Sequence, residues 1–148
     1  MLVRDLMTKA IDAVRPLTTV RDAARKMKEL QTSLLPVVTD TGLIGMLTAK
    51  DIALRLAAEG RDPKDTPVED VMSLGIIACF EDQQLEEALA TMLSKQVSQL
   101  PVLDRKRRLV GRISVEDLVF QPKARHAVEQ VLREPPAGKA KSAAPAGG

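Results

Sequence analysis

The fold is decided by one stretch of the chain, Ser33-Leu-Leu-Pro-Val-Val-Thr-Asp-Thr-Gly-Leu-Ile-Gly-Met-Leu-Thr-Ala-Lys-Asp51. Two short apolar runs in it are separated by Asp40-Thr-Gly42, whose residue types favour a turn. The pattern predicts two strands joined as a hairpin. Thr48 precedes Asp51 by three residues, a spacing typical of a helix start. We therefore expect a hairpin followed by a helix that begins near Ala49.

The same pattern occurs a second time, in register with the first. The matching blocks are Val3-Arg-Asp-Leu-Met7 with Val68-Glu-Asp-Val-Met72, Ser33-Leu-Leu-Pro-Val37 with Ser98-Gln-Leu-Pro-Val102, Leu43-Ile-Gly45 with Leu109-Val-Gly111, and Thr48-Ala-Lys-Asp51 with Ser114-Val-Glu-Asp117. The shift is 65 residues before the turn and 66 after it, because the second turn is one residue longer. Four blocks in order indicate an internal duplication.

Each copy predicts the order strand, helix, strand, strand, helix. The predicted fold class is therefore α/β in the broad sense, and α+β in the narrower one. The first strands are placed at Ala10–Val14 and Ile76–Phe80, and an amphipathic segment, Ala124–Leu132, predicts an additional helix. The Ala-, Gly-, Pro- and Lys-rich end has no periodicity, so we expect it to be disordered. The expected organisation is repeat one at 1–59, a linker at 60–67, repeat two at 68–121, a helical segment at 122–134 and a disordered tail at 135–148.

Composition excludes several classes of protein. Hydrophobic residues make up 45% and charged residues 28% of the 148 residues, which is typical of a globular chain. No apolar run reaches the roughly 18 residues of a membrane span, and the single cysteine cannot form an internal disulfide, so we expect a cytoplasmic protein. Residues 121–148 hold five basic and two acidic residues of a chain whose net charge is +2, so residues 1–120 carry −1, which argues against nucleic-acid binding.

Catalytic chemistry has no support in the sequence. The chain has one histidine, His126, and one cysteine, Cys79, and they are far apart in the sequence. No nucleophile and base stand at a recognisable spacing, and no His/Cys cluster has metal-ligand spacing. We therefore predict no catalytic residues, no metal site and no enzymatic activity.

The two hydroxyl-x-x-acid motifs, Thr48/Asp51 and Ser114/Asp117, admit two interpretations. In the first, each is only a helix cap, with side chains that satisfy free backbone N–H groups. In the second, the same geometry binds a nucleotide. A helix N-terminus favours phosphate, and a carboxylate accepts hydrogen bonds from the two vicinal hydroxyls of a ribose. Spacing alone leaves both interpretations open.

Order and duplication of these blocks resemble a tandem pair of CBS domains, the family named for cystathionine β-synthase. The resemblance covers about residues 1–120. It implies two βαββα repeats packed about a pseudo-twofold axis, with two clefts that bind AMP, ADP or ATP as a regulatory ligand and admit Mg²⁺ beside the phosphates. It also implies which residues line the clefts. One cleft would use Ser114, Asp117, Ile11, Asp12, Thr32 and Ser33, and the other Thr48, Asp51, Ile76, Ile77, Val97 and Ser98.

The copies differ beside the two acids. Lys50 precedes Asp51 and resembles the phosphate-contacting position of the family, whereas Glu116 precedes Asp117 and should repel phosphate. Arg112 offers a compensating positive charge. The cleft that uses Lys50 is therefore predicted to be the better phosphate site.

The favoured hypothesis is a nucleotide sensor that acts on an unidentified partner protein. The alternative is a ligand-free structural module for dimerisation, in which both motifs are only caps. The helix after Asp51 is apolar on nearly all sides, which predicts burial on more than one face and a symmetric homodimer, a flat disc by the family resemblance. If Ala124–Leu132 folds back over this surplus apolar area, the dimer is not needed.

Overall fold

A computed structural model describes residues 1–9 and 12–133 of the chain, and they form two compact units. Among these residues, the first-repeat unit consists of 12–76 and Lys106–Leu109, and the second-repeat unit of 1–9, Ile77–Arg105 and 110–133. The first nine residues thus pack with the second copy of the repeat, a relation that the sequence analysis did not predict. The linear domain boundaries stay a prediction.

The first-repeat unit contains two helices and a hairpin. Helix α1 (Val20–Leu30) begins where Thr19 Oγ1 accepts a hydrogen bond from the Asp22 N–H, and it ends at Gln31 in the left-handed conformation. Strands β1 (Leu34–Thr39) and β2 (Gly42–Thr48) pair antiparallel, with an irregularity between Val37 and Val38. Helix α2 (Ala49–Asp51) follows directly and continues as a π-helix over Ile52–Ala57.

The second-repeat unit has a three-stranded sheet and three helices. Its elements in chain order are β3 (Cys79–Phe80), α3 (Leu85–Lys95), β4 (Gln99–Leu103), β5 (Leu109–Ser114, which belongs to this unit from residue 110 onward), α4 (Val115–Val119) and α5 (Arg125–Arg133). The strand order is β3-β4-β5, and β3 runs parallel to β4. The mixed α+β class, the hairpin pattern and the starts of α2 and α4 agree with the sequence analysis.

Each unit has its own apolar core. The first is built by α1, β1, β2 and the segment after the linker; its fully buried members include Val20, Val37, Leu47, Val68 and Val71. The second joins the N-terminal segment to α3, β4, β5 and α4; its members include Val3, Leu85, Leu100, Ile113 and Leu118. Val3 and Val68 occupy equivalent places in the duplicated sequence, so each copy of this block fills one core.

The first strand of each copy is shorter than the sequence analysis predicted. Ile76–Phe80 forms a strand only at Cys79–Phe80, and of Ala10–Val14 the described part pairs only at Val14, in a bridge to Val37. The partner strand explains the limit in both copies. Pro36 precedes Val37 and Pro101 precedes Val102, the partner of Cys79, and a proline has no N–H to extend a ladder.

The predicted C-terminal helix is present as α5, and it packs against α3. Ala127 and Val131 on its inner face are buried in the core of the second-repeat unit, whereas Leu132 is 65% exposed. The predicted tail 135–148 lies outside the described residues. None of the helices in the described part of the chain is long and apolar enough to cross a bilayer.

Candidate functional site

Helix α2 starts with a reciprocal cap. The Asp51 N–H donates to Thr48 Oγ1 at 3.0 Å, and the Thr48 N–H donates to Asp51 Oδ2 at 3.0 Å. Each bond satisfies a backbone donor that the first turn of a helix leaves free. The cap interpretation of the Thr48/Asp51 motif is therefore realised, and one oxygen of the carboxylate is engaged in it.

The other oxygen of Asp51 has a partner that the sequence analysis missed. Ser73 Oγ donates to Asp51 Oδ1 at 2.8 Å, and Arg55 Nε lies 4.0 Å from the same atom. Asp51 is 7% exposed and is one of two buried polar or charged residues in the described part of the chain. An ionised carboxylate offers about four lone-pair sites, so acceptor capacity for a ligand remains after these contacts.

The second copy repeats this arrangement more loosely. The Asp117 N–H donates to Ser114 Oγ at 3.1 Å, and Thr8 Oγ1 donates to Asp117 Oδ2 at 3.3 Å. Asp117 is half-buried. Both carboxylates accept a bond from a distant hydroxyl, but only that of Asp51 also accepts a backbone bond of the cap, so Asp117 is the more accessible and the less tightly bound of the two.

A glycine in each hairpin makes room for the segment that carries the extra hydroxyl. Ser73 exchanges two backbone hydrogen bonds with Met46, of 2.9 and 2.8 Å, and Thr8 exchanges two with Arg112, of 2.8 and 2.9 Å. A Cβ atom at Gly45 would lie 3.0 Å from the Ser73 carbonyl oxygen. At Gly111 it would lie 2.6 Å from the Thr8 carbonyl oxygen. The approach at Gly111 is too close for any side chain, and the approach at Gly45 is tighter than side chains normally make.

The structure places a serine of each repeat at the N-terminus of the helix of its own unit. The Ala49 N–H donates to the Ser33 carbonyl oxygen at 2.9 Å, and the Val115 N–H donates to that of Ser98 at 2.8 Å. Within one unit, Ser33 is therefore close to the Thr48 motif. In the other, Ser98 is close to the Ser114 motif.

The remaining residues predicted to line the clefts are half-buried. These are Asp12, Thr32, Ile76, Ile77 and Val97, of which Ile77 and Val97 pack against the core of the second-repeat unit. Ile11 lies outside the described residues. The prediction that each cleft combines the carboxylate of one repeat with lining residues of the other repeat stays a prediction.

The three charged residues beside the motifs differ in their surroundings. Lys50 and Glu116 are exposed, so both are accessible to a ligand. Arg112 is half-buried, and its Nε is a buried nitrogen without a hydrogen-bond partner among the described residues. Because Arg112 and Ser114 are two residues apart on β5, they point to the same face of the strand.

Three groups outside the motifs have perturbed pKa values, namely Cys79, Asp82 and Arg105, whose guanidinium pKa is raised by its hydrogen bond to Asp82. Burial raises the pKa of the Cys79 thiol to about 12, so this cysteine is not an activated nucleophile. The hydrogen bond from Arg105 lowers the pKa of Asp82, an exposed carboxyl, through contacts of 2.9 and 2.7 Å. Arg105 also lies over the ring of Phe80, 4.2 Å from its centroid, and so has local partners.

Ser73 and Thr8 are the functional candidates that the sequence analysis left out. The sequence does contain a signal for them, since a hydroxyl residue directly follows the methionine of the first block in both copies, as Met7-Thr8 and Met72-Ser73. The contacts join residues 109 and 22 positions apart, so the pattern could show the duplicated hydroxyl but not its partner. No group of three or more His, Cys, Asp or Glu side chains in the described part is arranged to hold a metal ion.

The family comparison agrees with the duplication. The CBS domain family matches residues 3–58 and 68–122. The CBS domain-containing protein YhcV of Bacillus subtilis (strain 168) is 37% identical over 130 residues, which is 88% of this chain and 91% of that protein. Some of the other relatives are larger enzymes. The chain covers 23% of the homoserine O-acetyltransferase of Methanohalobium evestigatum, with 32% identity.

Solved structures show the same fold. Hypoxic Response Protein I, solved with two coordinated zinc ions, is 30% identical with a TM-score of 0.73, over 82% of this chain and all of that chain. The CBS domain pair of protein MJ0100 was solved in complex with 5′-methylthioadenosine and S-adenosyl-L-methionine. It is 28% identical with a TM-score of 0.68, over 80% and 93% of the two chains. The chain belongs to the CBS-domain family and contains a tandem pair of CBS domains.

Proposed function

We propose that this protein is a regulatory module that binds an adenine nucleotide, AMP, ADP or ATP, and acts on a partner protein without catalysis. The observation that carries the proposal is the repeated helix start in which an aspartate backbone N–H donates to the hydroxyl three residues before it, Asp51 to Thr48 and Asp117 to Ser114, which places a hydroxyl and a carboxylate within one turn. The similar MJ0100 pair was solved with two adenosyl ligands, and both of these contain a ribose.

The chemistry of the motif suits the nucleotide. The carboxylate of Asp51 keeps lone pairs beyond its two protein contacts, and ribose hydroxyls are donors that can use them. Lys50 in the first repeat and Arg112 in the second supply positive charge for phosphates. Mg²⁺ beside the phosphates belongs to this proposal as a companion ion, not as a resident cofactor.

The test is calorimetric titration of the full chain with ATP, ADP and AMP, for wild type and Asp51→Ala. Loss of a charge-assisted hydrogen bond is worth about 1.5–3 kcal/mol, so the affinity should fall about 10- to 100-fold. Asp65→Ala, a change at an exposed aspartate of the linker, serves as the control and should bind normally. Wild-type affinity in Asp51→Ala would leave the motif as a cap only.

A homodimer is part of the same proposal. The described residues include a set of large, strongly exposed apolar side chains, with Val119 64%, Phe120 84% and Leu132 65% exposed. Helix α5 does fold back over the second core, which is the arrangement that would make a dimer unnecessary, but these side chains remain uncovered. Burial of such a patch against its symmetric copy is the simplest way to remove it from water.

Light scattering tests the dimer. The full chain should have twice the monomer mass, and Phe120→Lys should shift it toward the monomer. Leu17→Lys alters a side chain of similar exposure, 76%, in the other unit and should leave the mass unchanged. A monomeric full chain that dimerises or aggregates only when cut after Gln121 would show that α5 covers the apolar area within one chain.

A further inference from the structure

The two carboxylates of the proposed nucleotide sites are each held by a hydroxyl from a distant part of the same unit. Ser73 Oγ donates to Asp51 Oδ1, and Thr8 Oγ1 donates to Asp117 Oδ2. We propose that Ser73 and Thr8 are positioning residues, which orient the carboxylates so that their free lone pairs meet the ribose hydroxyls. The inference rests on the proposed function and names two residues that set its affinity.

A single hydrogen bond does not orient a carboxylate. The bond from the Thr48 N–H fixes only Oδ2 of Asp51, and the terminal torsion of an aspartate is broad, so the group can turn about that contact. A second bond, from Ser73 to Oδ1, fixes the plane of the group. Two adjacent ribose hydroxyls can both donate to the carboxylate only if its position and its plane are correct. A ligand binds more tightly to acceptors that are already oriented, because less ordering is needed on binding.

The hydroxyl of Ser73 is itself held in place. Its backbone makes two hydrogen bonds to Met46, and the absence of a side chain at Gly45 lets that strand approach. Of the other groups near Oδ1, Arg55 lies 4.0 Å away and its side chain is 53% exposed, so it cannot replace the Ser73 contact. Ser73 is therefore a fixed donor at the one carboxylate oxygen that the cap leaves free.

The second copy predicts a weaker effect, because the Asp117 carboxylate accepts the Thr8 bond without the backbone bond of the cap that also holds Asp51. The contact from Thr8 to Asp117 is 3.3 Å long, against 2.8 Å for Ser73 to Asp51. A longer hydrogen bond orients its acceptor less strongly. Removal of the hydroxyl at Ser73 should therefore reduce affinity more than removal of the hydroxyl at Thr8.

The experiment compares a ribonucleotide with an analogue that lacks both hydroxyls. Whichever of ATP, ADP and AMP binds the full-length wild type most tightly is titrated beside its 2′,3′-dideoxy counterpart, into wild type, Ser73→Ala and Ser73→Thr. Ser73→Ala should weaken the ribonucleotide about five- to tenfold and leave the dideoxy analogue within about twofold. Ser73→Thr should restore binding, since it keeps the hydroxyl.

Ser94→Ala is the matched control. It removes a half-buried serine hydroxyl that donates to a helix carbonyl, and it should change neither titration. Thr8→Val should show a smaller loss than Ser73→Ala, and Thr8→Ser should bind as wild type does.

Two outcomes overturn the inference alone. Equal losses of both nucleotides in Ser73→Ala would show a general structural role, and unchanged ribonucleotide affinity would show no role in binding. If the wild type binds none of the three nucleotides, the proposed function fails and the inference fails with it. The melting temperature of each ligand-free variant separates loss of fold from loss of orientation.

Discussion

Gly111→Ala adds a single methyl group to the second-repeat unit and should strongly lower the stability of the protein. A Cβ atom at this position would lie 2.6 Å from the carbonyl oxygen of Thr8 and 3.1 Å from Met7 Sδ. The first of these atoms belongs to the backbone, so it cannot turn away as the end of a side chain can. The segment that carries Thr8 must move outward by roughly 1 Å to restore an ordinary contact.

That movement disrupts a defined set of interactions. The two backbone hydrogen bonds between Thr8 and Arg112, of 2.8 and 2.9 Å, would lengthen or break, and the Thr8 contact to Asp117 would be lost with them. Hydrogen bonds contribute about 1 kcal/mol each, and forced overpacking costs about 1–3 kcal/mol. Loss of the Thr8–Asp117 bond together with overpacking gives an expected loss of about 2–4 kcal/mol of unfolding free energy, and breakage of both backbone bonds would raise it to about 4–6 kcal/mol; equilibrium denaturation in urea measures it.

Two further glycines give a graded control series. At Gly45 the nearest atom to a new Cβ is Met72 Sδ at 2.8 Å, the movable end of a side chain, with the Ser73 carbonyl oxygen at 3.0 Å. Gly45→Ala should therefore cost about 1–2 kcal/mol. Gly75 has nothing within 4 Å, and Gly75→Ala should stay within about 0.5 kcal/mol of wild type. A Gly111→Ala protein as stable as Gly75→Ala would refute the close-approach argument.

Three other predictions test separate features. Because burial raises the pKa of Cys79 to about 12, a disulfide reagent at mildly alkaline pH should label the thiol slowly in the native protein and quickly in denaturant; fast native labelling would contradict its burial. Gln31 and Gln96 end α1 and α3 with φ 55°, so Gln31→Gly and Gln96→Gly should each stabilise the protein by about 0.5–1 kcal/mol in thermal unfolding, whereas destabilisation would reveal side-chain contacts that matter more. Titration should show two unequal nucleotide sites, with Lys50→Glu abolishing the stronger and Glu116→Lys strengthening the weaker, and two equal wild-type sites would count against this asymmetry.

Local features of this fold could be read from the sequence because their causes are local. The hairpin follows from two apolar runs around Asp40-Thr-Gly42, and the start of α2 follows from the spacing of Thr48 and Asp51. Each of these two side chains accepts a hydrogen bond from the other residue's backbone N–H at 3.0 Å. The duplication added independent support, since Ser114 and Asp117 make the same backbone contact in the second copy. Such interactions join residues that are close in the sequence, so their spacing along the chain is enough to predict them.

Long-range features could not be obtained in this way. The hydroxyl of Thr8 reaches Asp117 across 109 residues, and nothing in either local pattern states that these side chains meet. The first nine residues complete the second-repeat unit for the same reason, through the contacts of Val3 and Thr8 with a later part of the chain. The short strand at Cys79–Phe80 depends on a proline in its neighbour, which is a property of the pair and not of the strand itself.

The cap and ribose interpretations of Asp51 are compatible, because they use different parts of one carboxylate. The cap occupies a lone pair of Oδ2, Ser73 occupies one of Oδ1, and the remaining lone pairs are available to a ligand. A protein contact at each oxygen holds the group in place, so under the proposed function the structural contacts would orient it for a ligand. Asp117 has the looser hold and the greater exposure. Lys50, whose charge favours phosphate, stands in the same copy as the more firmly held acid, Asp51. The other copy has Glu116 in place of Lys50, and Arg112 is its source of positive charge.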